Sequence, residues 1–468
     1  MIPVSLSWVA EHIRGQLVDA KTQSIVIESV STDTRNIEKG ALFIALQGPN
    51  FDGHHFVKQA HDLGAIAAIV SHPVDVDIAQ IVVGDTKLAL GHLAGAVKQQ
   101  LSPLTVGITG SSGKTTVKEM VAAILSRRGK VLATKGNFNN DIGVPLTLLR
   151  LEADHEFAVI EMGANHLGEI AYTTELVKPD VATIVNAAAA HLEGFGSLLG
   201  VARAKSEIFN GLSEHGVAIL NADSQFYDFW KGKLRLNNVQ CFSSEKQVEF
   251  YAQDTVLGLD GCAQFDMVTP QGRVNVSLSL PGMHNVNNAL VASALALGVG
   301  ASLNDVAEGL RNMPHVAGRL HVKQLSNQVK VLDDTYNANV GSVNAAIDLL
   351  ASFAGRRILI LGDMAELGEK ARYYHEQVGE YAQQKGIDEL FTLGVLSQSA
   401  SAVFNDSGKH FSEISQLTEF VLQQLGTEKR DITILVKGSR SAKMERVVKA
   451  LEDSGLGKFE RVRELMAC

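Results

Sequence analysis

Apolar positions along this chain fall into two rhythms, short continuous runs and longer stretches repeating at helical intervals, and the two alternate. Residues 104–109, 130–133, 157–162 and 181–185 read as strands with helical patterns between them. The clearest helix follows the first of these, where Val117, Met120, Val121, Ile124 and Leu125 share one face. Such alternation predicts an α/β fold, a largely parallel sheet with helices on both faces, and sites gathered at the carboxyl ends of the strands. Residues 1–85 read as a separate compact α/β unit, with apolar runs at 41–46, 65–70 and 81–83. Residues 223–280 break the rhythm: β-type runs such as 274–280, preceded by a TPQG turn, predict a small antiparallel excursion. After Pro281 comes a long buried helix whose first turn is polar, with His284, Asn285, Asn287 and Asn288. Residues 311–320 read as a linker, and a third alternation follows, with strands at 329–333, 357–361, 389–393 and 433–437. The pattern therefore predicts three domains, 1–85, 86–316 and 317–468. The central one has a P-loop ATPase-like parallel sheet, and the last is Rossmann-like but lacks the GxGxxG dinucleotide fingerprint.

Composition narrows the class. The chain has 468 residues, more than one hydrophobic core usually organises. At 46% hydrophobic and 20% charged, with no apolar run long enough to span a bilayer, it reads as a globular protein with no membrane insertion. The opening MIPVSLSWVAEHIRG carries charge where a signal peptide would be apolar, which predicts a cytoplasmic location. Cys241, Cys262 and Cys468 lie far apart and form neither a disulfide framework nor a zinc motif. A net charge of −9 argues against a general nucleic-acid binder, so any bound phosphate belongs to a small molecule.

The chemistry centres on TGSSGKTT, residues 109–116, set between a strand and a helix. Gly110 and Gly113 let the backbone turn its N–H groups toward a phosphate, with Ser111 and Ser112 between them. Lys114 reaches the terminal phosphate, and Thr115 offers a hydroxyl to Mg²⁺, with Thr116 behind it. The spacing departs from GxxxxGK[ST], since Ile108 stands five before Gly113. The strand-to-helix context and the Lys-Thr-Thr that follows favour a nucleotide loop over a plain glycine turn.

Other strand ends carry polar groups: KGNFNNDIGVP with Asn137, Asn139 and Asn140; VIEMGANH with Glu161; IVNAAAAHLEGFG with Asn186 and His191; and a helical segment, ARAKSEIF, with Lys205. Taken singly, His191 reads as a satisfied loop histidine and Lys205 as a solvated helix charge. Taken together, a Mg²⁺ beside a triphosphate needs hard oxygen donors, and Glu161 ends the strand neighbouring the glycine loop. The N-terminal loops STDTRNIEKG and QGPNFDGHHF read, from the residues alone, as solvated turns.

In this order the motifs are those of a known family. From TDTRNIEKGALFIALQGPNFDGHHF through TGSSGKTT, GNFNNDIGVP, EMGANHLGEI, NAAAAHLEGFGS, AKSEIF, HNVNNALVA, GRL, DDTYNANVGS and LGDMAELG to VKGSR, the chain resembles the Mur ligases, ATP-dependent amide-forming enzymes of cell-wall precursor synthesis. Within that family it is most similar to the members that add D-alanyl-D-alanine to UDP-N-acetylmuramoyl-tripeptide. The resemblance implies ATP and Mg²⁺ as cofactors, an acyl phosphate on the tripeptide carboxylate, and attack on it by the dipeptide amine. It implies small-molecule partners and a monomer.

By motif, the resemblance assigns the phosphates to Lys114, the first Mg²⁺ to Thr115 and Glu161, and the second to His191 and to Lys205, whose amine becomes a carbamate. Asn285 and Asn288 become nucleotide contacts at the adenine side, Arg319 a hinge arginine reaching the γ-phosphate, and Asp334 the carboxylate supporting it. Tyr336, Asn337 and Asn339 line the closing face of the third domain, with Lys437, Ser439 and Arg440 as further candidates. Thr34, Arg35, Gly48, Asp52 and Gly53 hold the UDP portion. One departure is Val340-Gly341, where these members commonly carry Pro after the Asn. Against the diamino-acid-adding ligases stands the absence of DNPR in the last domain, and against folylpolyglutamate synthase the TDTRNIEKG entry segment. A nucleotide-gated P-loop switch has no use for the converging Glu161, His191 and Lys205.

Overall fold

The computed structural model describes residues 1–189, 192–234, 238–314, 318–425 and 430–454. Among these, the strands form three main sheets of five, nine and six strands, one after another along the chain.

The first sheet orders Gln16–Leu17, Ala79–Val82, Ala67–Val70, Leu42–Ile44 and Val30–Ser31, parallel except for the first pair. Leu42, Ile44, Ala67, Ile69 and Ile81 are fully buried, as expected of short apolar strands covered on both faces. Helix Thr86–Leu101, capped by Asp85, follows it and packs against helices Gly143–Leu148 and Glu169–Val177 as well as Leu6–His12. One continuous hydrophobic cluster thus runs from the first sheet into one face of the second.

The nine-stranded sheet carries the glycine loop at the end of the third strand from one edge. Strand Leu104–Thr109 lies parallel between His155–Glu161 and Val181–Ile184. The register sets Ile108 beside Glu161, so the carboxylate emerges where the loop begins. Beyond Val181–Ile184 come Val217–Asn221 and Val239–Ser243, also parallel. The expected antiparallel excursion is instead the far edge of this same sheet: Phe250–Leu257 joins Val239–Ser243 through Phe242↔Phe250, and hairpins add Cys262–Thr269 and Gly272–Pro281. Helices Lys114–Leu125 and His284–Gly298 cover one face. The second of these is apolar nearly all round, with Leu290, Val291, Ala292, Leu295 and Ala296 at most barely exposed, which is the signature of a buried helix.

The six-stranded sheet orders His321–Gln324, Val329–Asp334, Ile432–Lys437, Arg356–Gly362, Glu389–Leu393 and Gly408–Phe411, parallel after the first pair. Its register pairs Asp334 with Lys437 at adjacent carboxyl ends. None of the described helices is long and apolar enough to cross a membrane.

Candidate active site

The carboxyl ends of the second and third sheets face one another across a cleft of about 970 Å³. Its centre is the glycine loop. Gly113 adopts φ +77°, and a Cβ there would lie 2.9 Å from Asn288 Oδ1, so both conformation and space require glycine. A Cβ on Gly110 would come within 3.0 Å of Val185. The loop is held from behind: Asn186 Oδ1 accepts the N–H groups of Ser111 (3.1 Å) and Ser112 (2.9 Å). That leaves the first-turn amides of helix Lys114–Leu125, which have no carbonyl one turn back, to face the cleft.

Charge is concentrated around this helix start. Lys114 donates to the Gly110 carbonyl at 2.8 Å. Enclosure by the cleft walls pushes its pKa down, Glu161 opposes that shift and Arg319 adds to it. Glu161 is 2% exposed and accepts from Thr115 Oγ1 (2.9 Å) and Asn139 Nδ2 (2.8 Å). Lys205, on helix Leu198–Ser206, is also 2% exposed, so the expectation of a solvated helix charge from the residue alone is corrected. Burial drives its pKa well below the usual lysine value, and repulsion from Lys114 drives it further.

The third domain closes the cleft. Arg319 donates to Thr115 Oγ1 at 3.2 Å and lies over the Tyr336 ring, 4.2 Å from its centroid. Asn339 Nδ2 donates to the Ser111 carbonyl at 3.2 Å. Asn339 also caps helix Val340–Ser352 in a reciprocal pair with Ser342, so the Val340-Gly341 departure leaves the turn intact: Val340 takes the first helical position, where Pro is tolerated but not needed. Behind them Lys437 is buried against Asp334 and donates to the Asn337 carbonyl at 3.0 Å. Burial lowers the Lys437 pKa, and Asp334 partly offsets that.

The cleft brings together Gly113, Lys114, Thr115, Thr116, Ser111 and Ser112 of the loop with Asn137, Asn139, Asn140, Glu161 and Lys205. Asn285, Asn288, Arg319, Asp334, Tyr336, Asn337 and Asn339 line it too. Gly110 sits just behind, as the acceptor of Lys114. His191 lies outside the described residues.

Thr34, Arg35, Gly48, Asp52 and Gly53 do not line this cleft; they belong to the first domain. Arg35 is engaged by Asp33 in an exposed ion pair. Asp52 spends its carboxylate internally, accepting from His54 N (2.9 Å), His54 Nδ1 (2.6 Å) and Gln47 Nε2 (3.1 Å). Gly53 passes so close to Leu46 that a Cβ would stand 2.6 Å from its carbonyl oxygen.

Several cleft residues went unselected from the sequence. Asn165, Glu169 and Glu366 line it, and Glu366 holds φ +62°, rare for a non-glycine residue. Nothing in local spacing marks that backbone. His284, at the start of helix His284–Gly298, is held to a pKa of about 4 by burial, against the pull of Asp334.

Comparison with known proteins agrees along the whole length. The Mur ligase family catalytic domain matches residues 26–102, the Mur ligase middle domain 108–296 and the Mur ligase glutamate ligase domain 318–440. This chain belongs to the Mur ligase family. It is 49% identical to UDP-N-acetylmuramoyl-tripeptide--D-alanyl-D-alanine ligase of Escherichia coli, over 97% of this chain and 100% of that one. Among solved Mur ligases, MurF from Acinetobacter baumannii superposes with a TM-score of 0.93 at 37% identity, covering 97% and 99% of the two chains. MurF from Thermotoga maritima, solved with ADP, gives 0.81 at 28% identity, covering 92% and 97%.

The donor set fits a nucleotide with Mg²⁺. A threonine hydroxyl beside a buried carboxylate is hard-oxygen ligation, and the unpaired helix amides with Lys114 suit phosphate oxygens. The buried Nε of Arg319 has no partner among the described residues, which suits an anion beside it.

Proposed function

We propose that this Mur ligase joins D-alanyl-D-alanine to UDP-N-acetylmuramoyl-tripeptide at the expense of ATP, forming an amide in peptidoglycan precursor synthesis. The observation that carries the reading is the cleft, where Lys114, Thr115, Glu161 and Lys205 of the second domain meet Arg319 and Asn339 of the third. The choice of dipeptide rests on the end-to-end likeness to ligases named for it. ATP with Mg²⁺ supplies the phosphoryl group that makes the tripeptide carboxylate an electrophile, as an acyl phosphate, and neutralises charge as the two anions meet.

The protein's own part is positioning and charge. Lys114 leaves Gly110 for phosphate oxygens, and the helix amides hold the same group. Thr115 and Glu161 offer oxygens to the metal, with Asn139 fixing the carboxylate's orientation. The Lys205 amine, in its deprotonated form, would add CO₂ and lose one proton, giving a carbamate that could serve as a ligand to the metal. His191 is assigned to the metal by motif. Arg319 moves from Thr115 to the transferring phosphate, and Asp334, braced by Lys437, supports the loop bearing Tyr336, Asn337 and Asn339.

On this reading residues 1–85 receive the UDP portion through Thr34, Arg35, Gly48 and Gly53, with Asp52 shaping that loop. Residues 86–316 hold the nucleotide, through Asn285 and Asn288 as well, and 317–468 bring the dipeptide. On the same reading the enzyme acts as a cytoplasmic monomer. The test is phosphate release and product formation from ATP, Mg²⁺, the UDP-linked tripeptide and D-alanyl-D-alanine, with meso-diaminopimelate, lysine and glutamate as competing amines. Release that ignores the dipeptide, as a nucleotide-gated switch would give, refutes it.

A further inference from the structure

The groups assigned to the metal come from separate pieces of chain. Glu161 ends strand His155–Glu161, and Lys205 lies in the last turn of helix Leu198–Ser206. Hydrogen bonds from Thr115 and Asn139 steer the Glu161 carboxylate, whereas the Lys205 amine has no hydrogen-bond partner among the described residues. Where that amine stands is therefore decided by where its helix stands. The helix and the 3₁₀ turn after it, Glu207–Gly211, are tied from outside. Trp230 Nε1 donates to the Ala202 carbonyl (3.0 Å), and Thr174 Oγ1 donates to the Ile208 carbonyl (2.9 Å).

Glu207 makes the tie that points toward the cleft. Its carboxylate accepts from Gly168 N with both oxygens (2.9 and 3.1 Å) and from Ala171 N (3.0 Å). Gly168, at φ +90°, starts helix Glu169–Val177 and has no side chain with which to cap it. The first N–H groups of that helix would lack acceptors, and Glu207 supplies them from another segment, with its charge at the positive end of the helix dipole. The end so capped belongs to the loop that leaves Glu161. In that loop Gly163 N donates to the Asn139 carbonyl (2.8 Å), and Asn165 N donates to Glu169 (2.8 Å). Helix Leu192–Phe195 presses on it as well, since a Cβ on Gly194 would stand 1.9 Å from the Asn165 carbonyl oxygen.

We infer that Glu207 is a positioning residue for the metal side of the cleft, setting Lys205 against Glu161 by clamping the turn after Lys205 to the loop after Glu161. The inference rests on the metal role proposed above for those two residues. With both oxygens engaged, the clamp fixes direction as well as distance. Lys205 has no polar contact of its own to restore its place once the clamp is gone, so a small rotation of its helix reaches the amine undiminished. Groups that hold a ligand in place from behind are worth roughly 10- to 100-fold in metal affinity or activity. A cap that did no more than stabilise helix Glu169–Val177 would change the thermal melt and leave the metal alone.

The experiment compares the intact protein with Glu207→Ala and Glu207→Gln, each checked for folding by circular dichroism. Glutamine keeps the length but offers one oxygen and turns an NH₂ group toward N–H donors. Calorimetry gives Kd for an ATP analogue with a β,γ-methylene bridge, first without metal, and then Kd of Mg²⁺ for that complex. The ligase assay gives the Mg²⁺ concentration for half-maximal rate. Both variants should bind the metal-free analogue as the wild type does, weaken Mg²⁺ roughly 10- to 100-fold and raise the half-maximal Mg²⁺ concentration in step. The glutamine protein carries the test if the alanine protein fails to fold. Unchanged Mg²⁺ affinity in a folded variant overturns the inference, and so does an equal loss of analogue and Mg²⁺ binding. If the intact protein forms no amide with any amine while Glu207→Ala still loosens Mg²⁺, the ligase assignment fails and this one stands.

Discussion

Arg319, from the third domain, donates a hydrogen bond to the Thr115 hydroxyl at the start of the second domain's glycine-loop helix, 3.2 Å away. The same hydroxyl donates to Glu161, so one short chain of contacts links the domain junction to the candidate metal site. Arg319→Lys keeps the charge but loses the planar fork and the stacking on Tyr336. It should lower kcat about 100-fold, within the range set by removing one transition-state donor, with little change in Tm. Steady-state phosphate release and a thermal melt check both parts; a variant with normal kcat removes Arg319 from the reaction.

Glu161 and Thr115 should set the metal dependence. Glu161→Gln removes the charge and leaves one oxygen to accept from Asn139 or Thr115, and should raise the Mg²⁺ concentration needed for half-maximal rate by roughly tenfold or more. Thr115→Ser should remain active and Thr115→Val should not. Chelation with EDTA should abolish turnover in every active form.

Lys205 costs stability where it stands, because folding takes its amine from water and places it near Lys114. With the folded pKa below the unfolded one, the unfolded chain binds the extra proton across the interval between them. Lys205 therefore makes stability rise with pH toward the ordinary lysine value. Lys205→Met should melt higher than wild type at pH 7, show a flatter rise at alkaline pH, and lose activity. Lys205→Ala should regain part of its activity with short carboxylic acids, which stand in for the carbamate; full activity without them removes the modification from the mechanism.

His284 gives the acid counterpart. Its folded pKa of about 4 lies below the ordinary 6.5, so the unfolded chain protonates first and stability falls as pH drops from about 6.5 toward 4. The shift corresponds to something on the order of 3 kcal/mol at about 1.36 kcal/mol per unit. Between pH 7 and pH 4 the urea midpoint of wild type should fall further than that of His284→Asn. A wild-type midpoint with the same pH slope as the variant refutes the assignment.

The buried Lys437–Asp334 pair should behave asymmetrically. Lys437→Met alone strands a carboxylate and should destabilise by roughly 3–5 kcal/mol, while Lys437→Met with Asp334→Leu should recover much of that. Denaturant titrations of the two proteins decide it.

The sequence carries the strand-and-helix alternation, the glycine loop and the order of motifs, because each is written in local spacing: period along a helix, glycine where the backbone must turn, a polar residue where a strand ends. It therefore gave Lys114, Thr115 and Glu161 a shared neighbourhood before any coordinates, through adjacent parallel strands. It could not assign Lys205 to the interior from its own residues, since a lysine on an amphipathic helix looks alike buried or solvated until the other helices of its own domain pack around it. Nor could it join the antiparallel hairpins to the central sheet, which depends on the Phe242↔Phe250 pairing. The contacts of Arg319 with Thr115 and of Asn339 with the Ser111 carbonyl arose only in the folded chain, because hydrogen-bond partners distant in sequence are chosen by packing and leave no periodic trace in the chain.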